Sequence, residues 1–256
     1  MEQLFIYILS FFIYSFCGWI WESIMIHAIY MKKFVNRGFL NGPMLPIYGS
    51  GALIVVLFFR MEGVHYPIYS IFLLGGLIAC VVEYLTSWAM EKMFHERWWD
   101  YSKKPFNLNG RVCLEGFVCF GLFSVAATCL IQPFFDKKLA LIPYTVQIVL
   151  IVILVTIFVV DLIRSVHIAT HLKKEMEEMV KVLEREQMRI HQKFADYEVE
   201  LEHLKNIKTL RGLIDQINIE LKNKHYRYGS RRILKAFPYL VKKRIQETHE
   251  RIREKE

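Results

Sequence analysis

Three glutamates sit inside otherwise apolar runs: Glu22 in CGWIWES, Glu83 in EYLTSWAM and Glu115 in RVCLEGF. A carboxylate in hydrocarbon is costly unless it faces the protein interior or a wet cavity, meets a base, or keeps its proton. Their depths agree. Glu22 lies about eight residues before a basic loop, Glu83 about eight before Glu91, and Glu115 four after Arg111. At 1.5 Å per residue, all three fall roughly 6–12 Å from one membrane boundary. Sequence-distant acids at one level are what a shared polar site requires, and such a site would take a polar or cationic group from the cytoplasmic side. An interhelical network that only holds the bundle together has the same signature, and both readings stand at this point.

The adjoining loops supply partners. Arg37 precedes GFLNGPMLPIYG, which carries Asn41 and Tyr48 around a fixed, non-helical turn. The second loop, HERWWDYSKKPFNLNGR, contains Trp98, Trp99 and Tyr101, which suit a membrane interface, and Asn107, Asn109 and Gly110, which form a turn into Arg111. Arg111 can anchor an anion or pair with Glu115 one helical turn on. The candidate polar site is therefore Glu22, Arg37, Asn41, Tyr48, Glu83, Asn107, Asn109, Arg111 and Glu115.

Catalytic and metal signatures are weak. The chain lacks HExxH, GxSxG, a CxxC pair and the phosphate-cradling GxxxxGK[ST], so it carries no ATPase motif of its own. The five cysteines, Cys17, Cys80, Cys113, Cys119 and Cys129, lie in or beside apolar segments and read as buried small hydrophobes. His27 and His95 make a poor metal signal. No metal, cofactor or catalytic residue is assigned.

What must position these residues is an all-α, polytopic membrane bundle. Of 256 residues, 54% are hydrophobic, yet the formal net charge is +8, and the mean hydropathy is +0.26. The two properties occupy different regions: residues 1–163 hold the long apolar runs, and residues 164–256 form a basic, water-facing tail. The clearest span is PYTVQIVLIVILVTIFVV at 143–160, closed by Asp161 and Arg164, whose helix would reach about 27 Å of a roughly 30 Å hydrocarbon layer. Further spans are expected at 4–30, 45–59, 68–90 and 112–131. The first exceeds one crossing and should tilt or extend past the interface. The second is short, with Pro43 before it and Pro46 in its first turn, and reads as a thin span or a re-entrant element. The opening lacks a basic n-region and a cleavage pattern, so it reads as a retained helix.

With five crossings, the basic loops (Lys32, Lys33 and Arg37; Lys92, Arg97, Lys103 and Lys104) share one side with the tail. Arg60, Lys137 and Lys138, offset by Glu62 and Asp136, fall on the other. The positive-inside rule then predicts an outside N-terminus and a cytoplasmic C-terminus in a bacterial inner membrane.

In the tail, apolar residues from Leu172 to Leu221 recur at spacings of three, four and seven, the pattern of a long cytoplasmic amphipathic helix or coiled coil with phase shifts near Glu186 and Leu204. A surface-lying helix and an intramolecular hairpin are the alternatives to a paired one. Self-association through this stripe is the favoured outcome. Lys222, Lys224, Arg227, Arg231, Arg232, Lys235, Lys242, Lys243 and Arg244 flank apolar residues and suit contact with anionic membrane lipids better than nucleic acid.

The segments CGWIWES, KKFVNRGFLNGPMLPIYGSGAL, EYLTSWAMEKMF, WWDYSKKPFNLNGRVCLEG and RRILKAFP, in this order, resemble the bacterial family of putative ABC-transporter type IV membrane proteins. In the membrane domain the resemblance spans roughly residues 11–130. It implies a multi-pass inner-membrane protein grouped with transporter permeases and served by a separate ATPase. Glu22, Asn41, Gly42, Pro43, Tyr48, Glu83, Trp99, Asp100, Tyr101, Asn107, Gly110, Arg111 and Glu115 fall in its motifs. A permease or transporter-associated subunit is the leading expectation. The alternatives are a membrane scaffold or sensor that assembles through its tail, and a membrane-embedded enzyme acting on a lipid or prenyl substrate, with Glu83 or Glu115 as acid–base groups.

Overall fold

The computed structural model describes residues 2–30, 32, 34–60, 65–94 and 97–195. The basic lipid-contact cluster from Lys222 to Arg244, His95, and the side chains of the coiled-coil stripe lie outside the described residues. All named elements are helices: α1 (Glu2–Ile20), α2 (Pro46–Arg60), α3 (Ile68–Phe94), α4 (Leu114–Ala126), α5 (Gln132–Leu139) and α6 (Tyr144–Ala195). Wide π-type turns extend α1 over Trp21–Tyr30 and join α4 to α5 over Ala127–Ile131. Four helical stretches are long and apolar enough to cross a membrane: Gln3–Ile26, Ile68–Phe94, Leu114–Leu139 and Tyr144–His171. Pro46–Arg60 is a shorter apolar helix.

Two boundaries differ from the sequence expectation. The fourth span continues beyond residue 131, through Pro133, to Leu139. The π-type turn resets the hydrogen-bond ladder, so Pro133 stands in the first turn of α5, where its missing N–H costs nothing. The first helix changes its winding at Trp21, just before Glu22.

In the unit Met1–Ser165, α2 packs between α1 and α3, and α3 packs on α4. Leu45 N–H donates to the Ser15 carbonyl at 2.9 Å, whereas Arg60 Nη1 meets Tyr7 Oη at 3.4 Å. Helix α2 therefore runs antiparallel to α1, from the level of Ser15 back to that of Tyr7. The close approach is made by glycine. A Cβ at Gly49 would overlap Ser15 Oγ and lie 2.6 Å from the Phe11 carbonyl oxygen, and one at Gly121 would lie 2.9 Å from the Phe72 carbonyl oxygen. Without a hydrophobic drive between helices in lipid, such small-residue contacts carry the packing. Helix α6 lies along α1 through Phe158, whose ring centroid is 5.9 Å from that of Phe11 and 6.0 Å from that of Phe12.

The far end from Glu22 holds a polar network that periodicity alone does not reveal. Fully buried Gln132 accepts from Tyr14 Oη at 3.0 Å and donates to Ser10 Oγ at 3.2 Å and Asp136 Oδ1 at 3.0 Å. Asp136 then pairs with Arg60 at 2.5 Å. Each polar group in this chain of contacts has a partner, which ties α1, α2 and α5 together.

Candidate functional site

Four residues from three helices and a loop converge at the other end. Tyr48, in the first turn of α2, donates its hydroxyl to Glu22 Oε1 at 2.7 Å. Tyr101, in the loop between α3 and α4, donates to Glu83 Oε1 at 3.2 Å. The two pairs are neighbours, because the Tyr101 phenol lies in the electrostatic field of both Glu83 and Glu22. Burial, reinforced by those two acids, raises the Tyr101 hydroxyl well above the usual phenol range. It remains a donor at any physiological pH.

Glu83 is only 6% exposed. Its second oxygen, Oε2, is buried and has no hydrogen-bond partner among the described residues. No base comes within ion-pair distance of Glu83 there either; the ion pairs of this end join Glu91, Asp100 and Glu115 to Arg97, Lys104 and Arg111. A buried acid hydrogen-bonded by a single phenol and left without a cation among the described residues is costly to the fold, by about 1–3 kcal/mol for the unsatisfied group.

The other expected site residues are placed elsewhere. Arg111 does not pair with Glu115. It lies before the first turn of α4, in a tight bridge of Leu108 to Val112, so helical i to i+4 spacing does not apply. Its guanidinium donates to Ser87 Oγ at 3.0 Å and to Glu91 Oε2 at 2.5 Å, and lies 5.5 Å from the Tyr84 ring centroid. Glu115 instead meets Lys104 at 2.6 Å, with side chains 63% and 50% exposed. That hydrogen bond holds the Lys104 ammonium above its ordinary pKa. Screening makes such a pair weak.

Asn107 and Asn109 build the loop. Asn107 donates to the Ser102 and Lys104 carbonyls and accepts from Gly110 N–H. Asn109, at φ 54°, donates to Tyr84 Oη, and Gly110 follows at φ 66°. A Cβ at Gly110 would overlap Asp100 and Ser102, so this turn needs glycine for both conformation and space. The loop aromatics face inward, contrary to an interfacial placement. Trp98 is buried against Phe39 and Phe94, and Trp99 Nε1 donates to the Arg111 carbonyl at 3.1 Å. Wrapped this way, the loop presents Tyr101 to Glu83.

Asn41 belongs to a separate latch. Its N–H and Nδ2 donate to Asp161 Oδ1 at 3.1 and 3.0 Å, and Gly42 N–H donates to Asp161 Oδ2 at 2.7 Å. Asn41 Nδ2 also reaches Ser165 Oγ at 3.0 Å. Asn36 braces the same loop by accepting from Trp19 Nε1 and Gly38 N–H, and Arg37 N–H donates to Ser23 Oγ at 3.2 Å. We expect Asp161→Ala to speed amide hydrogen exchange at Asn41 and Gly42 by about tenfold or more, since bonds to a charged acceptor contribute about 1.5–3 kcal/mol. Unchanged exchange at both amides would show that the latch contributes nothing.

Tyr101, Asp161 and Glu91 are the residues that sequence reasoning missed. Asp161 appeared only as a charge closing a span, and Tyr101 as an interfacial aromatic and a residue of the family motifs, without a place in the candidate site. An acidic residue at the end of an apolar run, in a chain that also carries a rigid Asn-Gly-Pro loop, is the signal that could have found Asp161.

The family model described as Putative ABC-transporter type IV matches residues 9–166. This chain belongs to that family. The match covers α1 from Leu9 onward, α2 to α5, α6 as far as Val166, both loops and the entire Glu22–Tyr48–Glu83–Tyr101 cluster. No curated protein and no solved structure matches the chain. As a type IV family member with four apolar helices of spanning length, it is a multi-pass membrane protein related to ABC transporters. The family suggests association with a separate ATPase subunit.

Proposed function

We propose that this protein is the membrane-embedded subunit of a bacterial inner-membrane transporter, a permease or its close associate, and that Glu22, Tyr48, Glu83 and Tyr101 receive a polar or cationic group from the cytoplasmic side. The observation that carries the reading is the buried Glu83 carboxylate, with one oxygen held by Tyr101 and the other unpartnered among the described residues. A purely structural network would be expected to close on itself, as the Gln132 network does.

In this reading α2 is a fifth crossing. Its 15 residues give about 22 Å of helix, short of the hydrocarbon thickness. Its antiparallel course along α1, with Arg60 reaching Tyr7 and Asp136, supports a thin span. Five crossings put the N-terminus outside and the loops carrying Asn41 and Tyr101 in the cytoplasm. Arg37, Asn41, Asn107, Asn109 and Arg111 then shape and brace the entrance, and Glu115 with Lys104 lies at its rim.

Two measurements test this. Native mass spectrometry of gently purified full-length protein should retain an ATPase subunit, and consistent recovery without one argues against the transporter assignment. Exposure to a mixed pool of cationic and zwitterionic metabolites should leave a bound species. We expect Glu22→Gln and Glu83→Gln to lower its occupancy about tenfold or more, the equivalent of roughly 1.4 kcal/mol. Full occupancy in both correctly folded variants rules out an essential role for the charges.

A further inference from the structure

The loop between α3 and α4 does not stand above the helix ends. Helix α3 runs on to Phe94, about 16 Å past Glu83 at 1.5 Å per residue. Yet the loop is fastened to the turns before that end: Tyr101 to Glu83, Asn109 to Tyr84 and Arg111 to Ser87. The same stretch of α3 carries Leu85, Trp88 and Met93 on its exposed surface. In a multi-pass membrane protein such residues face lipid or its interface, so the bilayer surface reaches at least the level of Trp88. The loop lies beside that surface rather than beyond it.

Its tip turns two large apolar side chains outward. Phe106, the exception to the inward-facing aromatics of this loop, is 83% exposed, and Leu108 is 60% exposed. Phe106 adopts φ 51°, a conformation uncommon for a bulky residue, and the backbone around it is held. Asn107 Nδ2 donates to the Ser102 and Lys104 carbonyls, and the Tyr101 and Lys104 N–H groups donate to Gly110 and Tyr101 carbonyls at 2.7 and 2.8 Å. The tip is also tied to the start of α4. Leu108 N–H donates to the Val112 carbonyl at 3.0 Å, and Lys104 meets Glu115 at 2.6 Å. Beside them Leu114, the first residue of α4, opens the exposed apolar surface of that helix.

We propose that Phe106 and Leu108 form an interfacial anchor, buried in the boundary between the headgroups and acyl chains of a phospholipid surface. The inference does not depend on transport or on what the glutamates bind. Exposed apolar groups of this size mark either a protein or a membrane contact, and their level selects the membrane. A knob for a water-soluble partner has to stand clear of the bilayer, whereas this tip is tied to the first turn of a spanning helix. Irregular backbone is costly near hydrocarbon unless its polar groups are satisfied within the protein, and the loop supplies such bonds itself. The exposed Lys103 adjoins the two apolar residues, and lysine beside large apolar side chains is the composition that binds a phosphate-bearing lipid surface.

The test is a photocrosslink in the full-length protein. p-Benzoylphenylalanine is placed at Phe106, and separately at Leu108, and activated in intact cell membranes. Leu122, exposed in the middle of α4, serves as the lipid-facing reference. Both tip positions should yield phospholipid adducts with an efficiency comparable to that of Leu122. Adducts to another protein, or no adduct at either position while Leu122 reacts, overturn the anchor. A second measurement uses Phe106→Trp in nanodiscs, a substitution of an exposed side chain that leaves the loop's hydrogen bonds in place. The added emission, taken as the difference from the unsubstituted protein, should be shifted to the blue and quenched by lipids brominated high on their acyl chains. Emission quenched by aqueous iodide and untouched by the brominated lipids would place the tip in water and overturn the proposal.

Discussion

Valine in place of Gly49 is expected to prevent assembly of the membrane bundle. The new Cβ would overlap Ser15 Oγ and crowd the Phe11 carbonyl oxygen and ring, at 2.6 and 2.8 Å. A side-chain tip can swing away, but a backbone carbonyl can retreat only if α1 moves. That displacement would separate α1 from α2 along the contact that brings Tyr48 to Glu22. Overpacking of this kind costs about 3 kcal/mol, a large part of the stability of a typical domain. The expected result is loss of the monodisperse species in mild detergent. Gly51→Ala, two residues along the same helix, provides the contrast: its Cβ meets nothing within 4 Å, and alanine favours a helix over glycine by about 1 kcal/mol. It should be neutral or slightly stabilising. If both variants behaved like the original protein, the α1–α2 contact would not be the tight one described.

This pair also illustrates what the sequence could and could not disclose. Apolar length is a one-dimensional property, so the four helices of spanning length were legible from composition. Depth is less so: counting residues from the basic loops set Glu22, Glu83 and Glu115 at one level, and the structure puts Glu22 and Glu83 in each other's field but leaves Glu115 exposed against Lys104. Azimuth is not one-dimensional. Which residue faces Glu83 depends on how the loop of Trp98 and Tyr101 folds back, which is set by the burial of Trp98 against Phe39 and Phe94 and by the left-handed turn at Asn109 and Gly110. The expected Arg111–Glu115 pair failed for a related reason. Four-residue spacing brings side chains together only within a helix, and α4 begins at Leu114. The span expected at 112–131 fell short in the opposite sense, because the helical stretch runs on to Leu139 with Pro133 in the first turn after a π-type turn, where a proline does not end it.

Arg111 and Glu83 are both buried charges beside α3, and their removal is expected to shift stability in opposite directions. Arg111→Met removes the donors to Ser87 and Glu91 and the contact with Tyr84. Breaking a buried pair typically costs 3–5 kcal/mol, because the remaining charge is left uncompensated. Here Glu91 keeps Arg97 at 3.5 Å and its side chain is 34% exposed, so the loss should be nearer about 2–3 kcal/mol. It should appear as a clear drop in the thermal unfolding midpoint. Glu83→Gln keeps an oxygen for Tyr101 and replaces the unpartnered carboxylate oxygen with a neutral amide, relieving the desolvation cost of a charge with no base beside it. We expect a gain of about 1 kcal/mol and a higher midpoint, alongside the lost ligand binding predicted above. Stability and binding moving in opposite directions at one residue would mean that the fold accepts a penalty there for the sake of the ligand. If Glu83→Gln instead fell as far as Arg111→Met, the carboxylate would have to be held by a partner in the folded protein, and the cluster would be part of the framework like the Gln132 network at the other end.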